Sequence, residues 1–248
     1  MTALLAIDTS SAWCSVALSL GDSTPLIRHQ AASAGASQLV LPWVDELLIE
    51  GQLSLKDLDA IAVDVGPGAF TGVRLGIAVV QGLAVAANLP VLPVCSLDAI
   101  AAQFSQSNYF SGAALSERTE FVVAVDARMG EVYWARYHIR FGELPYRMSS
   151  LQLTAPESVD LAGAQYVIGS AITEFGERLF ASIGGALPDE RLYADIGVSA
   201  QGVLLQGWSL WNAGGQISVD ELEPVYVRNK VALTTAERGR ERSVHDAK

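Results

Sequence analysis

LLAIDTSSAWCSVALSL, residues 4–20, and FVVAVDARMGEVYWARY, residues 121–137, are built to one plan. Each opens on an apolar run too short for a helix, Leu4 to Ile7 and Phe121 to Val125, which reads as a buried strand. Each run ends in an aspartate, Asp8 or Asp126, followed by a tight turn. Each turn leads into an alternating strand, Cys14 to Leu20 with Val16, Leu18 and Leu20 on one face, and Glu131 to Ile139. A supersecondary unit that recurs in this way indicates internal duplication and two similar halves.

Outward from the first unit, Gly21-Asp22 marks a turn and Leu26 to Ala32 a third strand, completing an antiparallel meander. A helix follows over Gln38 to Glu50, with Leu39, Val40, Trp43, Val44, Leu47 and Leu48 at three-four spacing; Pro42 requires it to start near Ser37. Ser54 to Leu58 reads as a helical turn and Ala60 to Val65 as the next strand. Gly66-Pro67-Gly68 then turns the chain into a long helix, with Thr71 as N-cap and Phe70 and Leu75 as a hydrophobic staple. Pro90 to Val94 is a short strand, and Ser96 caps a helix running to Gln106. Outward from the second unit, Gly142 to Pro145 is a hairpin turn and Tyr146 to Leu153 its return strand. Pro156 to Ala162 is a short helix, Tyr166 to Ile168 a strand, and Ile172 to Ile183 and Val198 to Ala213 are helices. The reading is an α/β chain of two tandem halves, each a mixed sheet with flanking helices. Residues 1–105 form the first, with the C-terminal helix able to pack back on it; 106–118 link, 119–230 form the second, and 231–248 make a charged tail.

The helix from Gly72 to Ala87 carries only Arg74 and Gln81 as long polar side chains, so it has no polar face to give to water. Its own sheet covers one side; a second element, either of this chain or of another, is the expected cover for the other. Arg74, Gln81 and the glycines argue against a membrane span, and the apolar stretch is short for one. The chain has 248 residues, of which 50% are hydrophobic and 17% charged, enough for large cores or a buried interface. Its net charge of −11 disfavours strong independent binding to nucleic acid. Cys14 and Cys95 stand alone in apolar surroundings and read as reduced core residues of a cytoplasmic protein. No signal-type segment is evident at MTALLAIDTSS.

A strand ending in Asp and a tight hairpin, once per half, is the opening of the actin-like (ribonuclease H-like) fold. GPGAFTGVRLGIAVVQGLA (66–84), AVDARMGEVYWARY (124–137) and EPVYVRNKVA (223–232) make the resemblance specific. Over most of its length, least in Gln103 to Arg118 and the tail, the chain resembles the TsaB (YeaZ) family. That resemblance implies an actin-like superfamily member related to TsaD, the subunit that attaches threonylcarbamoyl to the adenosine next to the anticodon of tRNAs reading codons that begin with A. It implies a scaffold or activator that is not itself the catalyst, pairs with TsaD, and joins TsaE in a ternary complex. It implies a homodimer when the chain is alone, and contact with tRNA only through the complex.

The chain's own residues bear on each point. Ser96 and Ile100 stand where TsaD carries the two histidines of its metal site, and neither is an imidazole ligand. His29, His138 and His245 lie in three separate segments, so no His-based metal site and no catalytic residue is assigned, and no HExxH supports a peptidase. A degenerate nucleotide cleft would involve Asp8, Thr9, Ser10, Asp126, Arg128 and Gly169. The first turn lacks a phosphate-loop glycine, and the second carries Arg128 and Met129 where small residues are wanted. Asp8 and Asp126 either cap turns or keep a residual contact with metal or nucleotide, leaving room for a weak or interface-bound adenine nucleotide and no firm cofactor. Arg128 can pair with Glu131 across its turn. The partner surface expected from helix composition comprises Leu39, Val40, Trp43, Leu47, Gly72, Val73, Gly76, Ile77, Val80 and Leu83. Gly72 and Gly76, and Ala78, Gly82 and Ala86, place small residues on helical ridges that permit close approach. The rival readings are an active small-molecule kinase or ATPase of the same fold, a glycoprotease-type peptidase acting on TsaD, and a stand-alone homodimeric structural protein.

Overall fold

The computed structural model describes residues 2–21, 23–32, 35–107, 119–140 and 142–227. Most of the expected linker, and the whole charged tail with its basic residues, lie outside them. In chain order the first half holds β1 (Ala3–Asp8), β2 (Trp13–Leu20), β3 (Leu26–Ala31), α1 (Ala36–Glu50), β4 (Ala60–Asp64), α2 (Phe70–Ala87), β5 (Val91–Val94) and α3 (Ser96–Ser105). The second holds β6 (Thr119–Asp126), β7 (Val132–Ile139), β8 (Tyr146–Arg147), β9 (Gln152–Thr154), β10 (Tyr166–Ile168), α4 (Ala171–Phe175), β11 (Leu192–Tyr193) and α5 (Ala200–Asn212).

The first sheet runs β3-β2-β1-β4-β5, antiparallel through the meander and parallel from β1 to β5. The second runs β11-β10-β6-β7-β8, with β9 also on β7. Each sheet thus repeats the antiparallel hairpin that opens its half, joined to parallel strands beyond it. Alternation along each strand separates three cores. Leu5, Ile7, Val16 and Leu18 face α1 and α2. Leu4, Ala6, Ala17 and Ala62 face a central core that holds α3, α5 and the inner residues Phe121, Val123, Ala135 and Tyr137 of the second sheet. Val122, Ala124, Val132 and Trp134 face a third core closed by α4 and the 3-10 turns around it.

Close approach in the central layer depends on Gly202 and Gly207 of α5. A Cβ on Gly202 would run into the Ala99 carbonyl of α3, and one on Gly207 would lie 2.8 Å from the Ala62 Cβ. The C-terminal segment then returns to the first sheet. Val91 and Ile217 exchange backbone hydrogen bonds of 3.0 and 2.9 Å, and the Val225 N–H donates to the Val65 carbonyl at 2.8 Å.

Several local expectations are corrected. The N-cap of α2 is Ala69, not Thr71, and Phe70 is 55% exposed, so no staple forms. Backbone contact replaces a side-chain cap there: the Ala69 N–H donates to the Ser10 carbonyl at 2.7 Å. Cys95, not Ser96, precedes α3. The expected return strand 146–153 divides into β8 and β9, and the helix expected over 172–183 breaks at Gly176 (φ +51°) into α4 and a 3-10 segment. β11 was not anticipated; at two residues it is too short to show a period.

Candidate functional site

Parallel pairing of β1 with β4 sets Ile7 opposite Val63, and so brings Asp8 and Asp64, the last residues of the two strands, side by side. Both are fully buried, at 0% and 2% exposure. Asp64 is held by four hydrogen bonds. The Gly66 N–H and Ser96 Oγ each donate to Oδ1 at 2.7 Å, while Ser10 Oγ at 2.5 Å and Ser96 Oγ at 2.9 Å reach Oδ2. Asp8 receives the Ser10 N–H at Oδ1, 2.8 Å, and its Oδ2 meets no donor.

Burial, reinforced by the neighbouring Asp64 carboxylate, holds the Asp8 carboxyl well above the usual range. Burial raises Asp64 too, opposed by its bonds from Ser10, Ser96 and Gly66. Both carboxyls therefore hold a proton to higher pH than a free carboxylate does, Asp8 more strongly than Asp64. Asp64 escaped the sequence reading because nothing within its own stretch announces a partner 56 positions away. Ser96 was noted for lacking an imidazole; here it ties the start of α3 to Asp64, while Ile100 is core.

Thr9 and Ser10 join this network to α2. Thr9 Oγ1 donates to the Gly72 carbonyl at 2.7 Å. A Cβ on Gly72 would collide with the Thr9 carbonyl, and one on Gly76 would sit 2.9 Å from Thr9 Oγ1. The first turn and the first two turns of α2 are therefore one packed unit.

The second turn differs. Asp126 is only part-buried; its Oδ1 accepts the Arg128 N–H at 2.8 Å, and its Oδ2 pairs with Arg128 Nη1 at 3.1 Å. Arg128, Met129 and Gly130 all have positive φ. Ser170 Oγ accepts the Asp126 N–H at 3.0 Å, and Gly169 lies where a Cβ would strike the Ala124 carbonyl. The structure thus groups Asp8, Thr9 and Ser10 at one sheet and Asp126, Arg128 and Gly169 at the other. In both turns several N–H groups that could face a phosphate are already engaged: Ser10 with Asp8, Ala127 with Glu131, and Arg128 with Asp126. Among the described residues no three His, Cys, Asp or Glu side chains stand close enough to hold a metal ion. The chemical capacity of the buried pair is to hold a proton.

The residues expected to meet a partner divide by face. Val40, Trp43, Leu47, Val73, Gly76, Ile77 and Val80 are buried in the chain's own core against the first sheet, and Leu39, Gly72 and Leu83 are part-buried. An all-round apolar helix does not reveal which side meets its sheet, and the three-four stripe is the inward side. The outward side carries Leu41 and Ile49 on α1 and Phe70, Ala78, Gly82, Val85 and Ala86 on α2. Ile49 is 77% and Val85 68% exposed, and a Cβ on Gly82 would meet nothing within 4 Å. By length and composition α2 is apolar enough to cross a membrane, yet its inward face is bound to the sheet. Arg74 makes no ion pair among the described residues; its guanidinium lies 3.3 Å from the Phe70 ring centre and hydrogen-bonds the Tyr226 hydroxyl. Cys14 is buried and Cys95 part-buried, with no disulfide between them.

Comparison with known proteins follows this geometry. The family described as "TsaD: tRNA N6-adenosine threonylcarbamoyltransferase" matches residues 28–160. The chain is 34% identical to the tRNA threonylcarbamoyladenosine biosynthesis protein TsaB of Escherichia coli, over 92% of this chain and 96% of that protein. It is 36% identical to the TsaB protein of Haemophilus influenzae, over 92% and 94%. Among solved structures, YeaZ from Pseudomonas aeruginosa superposes with a TM-score of 0.76 at 37% identity, covering 91% of this chain and all of that one. A second Pseudomonas aeruginosa structure, described as similar to peptidase YEAZ, gives 0.79 at 36% identity, covering 92% and 100%.

Proposed function

The chain belongs to the TsaB (YeaZ) family of tRNA threonylcarbamoyladenosine biosynthesis proteins, and from that premise we propose that it is the non-catalytic scaffold and activator subunit of the modifying assembly. It pairs with TsaD through the outward faces of α1 and α2, and the pair recruits TsaE. TsaD carries out the transfer of threonylcarbamoyl to tRNA in the cytoplasm. The observation that carries this reading is the outward face of α2: Phe70, Ala78, Gly82, Val85 and Ala86 present an apolar helix surface with a small-residue ridge, exposed among the described residues. An exposed ridge of this kind suits a second helix lying close against it.

The buried aspartate pair supports the division of labour. It anchors the first turn and the start of α2, and so presents the helix, and it engages the Ser10 and Ser96 hydroxyls that a phosphate would otherwise meet. The acidic charge of −11 leaves tRNA backbone contacts to other subunits. Sedimentation equilibrium of the chain mixed with TsaD tests the pairing. A one-to-one complex that is lost on Val85→Asp, with the variant still folded, is the expected result. A complex of undiminished strength with Val85→Asp overturns the assigned face.

A further inference from the structure

On the opposite face of the first sheet from α1 and α2, β3 forms an edge: among the described residues no strand pairs with its outer side. The register sets His29 opposite Ser15, and Ile27 opposite Ala17, so both point to the α5 side. The first turn of α5 packs on β2, where the Ala200 N–H donates to Ser15 Oγ at 3.0 Å, and the helix also lies against β3. Even so, His29 stays exposed on this side of the strand. Trp13 stacks flat on His29, ring centres 4.7 Å apart and planes 2° apart, yet Trp13 stays 44% and Ile27 36% exposed. A cleft of about 360 Å³ runs beside them, walled on its far side by Gln103, Asp195 and Gln201. Asp195 is the one carboxylate in this lining, and it has neither a hydrogen bond nor an ion pair among the described residues.

We propose that the β3 edge and this cleft form a docking site for an extended, basic segment of a partner protein. The segment adds as a strand to β3, and an arginine or lysine from it enters the cleft between the Trp13 ring and the Asp195 carboxylate. Three features select that occupant. An open edge supplies main-chain hydrogen bonds to an extended chain, while a side pocket at every second residue supplies specificity. An exposed indole face next to an unpaired carboxylate favours a cation over an anion or a plain apolar group. The chain's net charge of −11 draws a basic segment and repels nucleic acid. This site is separate from the outward face of α2, on the other side of the sheet, and does not depend on the pairing with TsaD.

The test is titration of the full chain, followed by amide and indole NMR, with a blocked pentapeptide Thr-Val-Arg-Val-Thr, its glutamate twin Thr-Val-Glu-Val-Thr, and arginine amide alone. The expected result is saturable shifts at the β3 amides and the Trp13 indole for the arginine peptide, with no saturation for the glutamate twin. Arginine amide should bind at least tenfold more weakly, since it lacks the strand. Trp13→Ala and Asp195→Asn, both at exposed positions, should each weaken the arginine peptide about tenfold while the spectrum of the fold is retained. No saturable binding, equal binding of the two peptides, equal binding of arginine amide, or unchanged affinity in both variants would each overturn the proposal.

Discussion

Replacing Gly82 by Leu puts the outward face of α2 to a two-sided test. In the isolated chain the new side chain enters open space, because a Cβ at Gly82 meets nothing within 4 Å. Removing a glycine from a helix interior gains about 0.8 kcal/mol in propensity, and for a chain of this size that is a rise in Tm of about 2–3 °C. In a complex the same side chain stands on the ridge Ala78–Gly82–Ala86 and keeps a second helix from closing onto it. Overpacking of about 1–3 kcal/mol weakens the heterodimer between about five- and 150-fold. Gly72→Ala provides the contrast: its Cβ collides with the Thr9 carbonyl, so about 1–3 kcal/mol is lost from the isolated fold. Thermal melts of the two variants, with calorimetric titration of Gly82→Leu against TsaD, measure both sides. A fall in Tm for Gly82→Leu, or full-strength binding to TsaD, would show that this face is not the one a partner helix meets.

The buried aspartate pair makes a pH prediction. Both carboxyls are raised in the folded state, so the stability linked to their protonated forms is complete below the unfolded carboxylate pKa and is lost as pH rises through the folded one. Asp8→Asn places an amide N–H donor at that position at every pH, so its Tm should gain on the parent as pH rises from the unfolded carboxylate pKa to the raised folded one; parallel Tm profiles would count against the raised pair. Asp64→Ala strands the Gly66 N–H and the hydroxyls of Ser10 and Ser96 and should cost about 3 kcal/mol or more, whereas Asp126→Ala, at the rim of its turn, should cost about 1 kcal/mol in denaturant unfolding. Burial pushes the Cys14 thiol up to about 11 and the Cys95 thiol to about 12, so at pH 8 the thiolate fraction falls on the order of a hundredfold for Cys14 and a thousandfold for Cys95, and both should react with a disulfide reagent more slowly than in the unfolded chain, Cys95 the slower.

The duplicated strand–aspartate–hairpin unit was legible because alternation and length speak locally, and the structure places Leu4–Ile7 and Phe121–Val125 in the central strands of their sheets. The α1 stripe was legible as a helix for the same reason. Its destination was not: Val40, Trp43 and Leu47 look alike on a sequence whether they face a sheet or a partner, and only the burial of Val73, Ile77 and Val80 by the same core decides it. Thr71 was a good N-cap by residue type, but the start of α2 is set by the grip of Ser10 on Ala69, a contact across more than 50 residues. Asp64 and Asp8 meet through strand pairing, and Trp13 and His29 through the meander register, so neither pair leaves a local motif.

The role proposed for this chain is to activate a transferase without doing chemistry itself. It is tested most directly by threonylcarbamoyladenosine formation on tRNA with TsaD, TsaE and the adenylate synthase, in the presence and absence of the chain. Product is expected only when the chain is present, with no rescue by raising TsaD and no ATP turnover by the chain alone. Full modification without the chain, or ATP turnover by the purified chain, would contradict it.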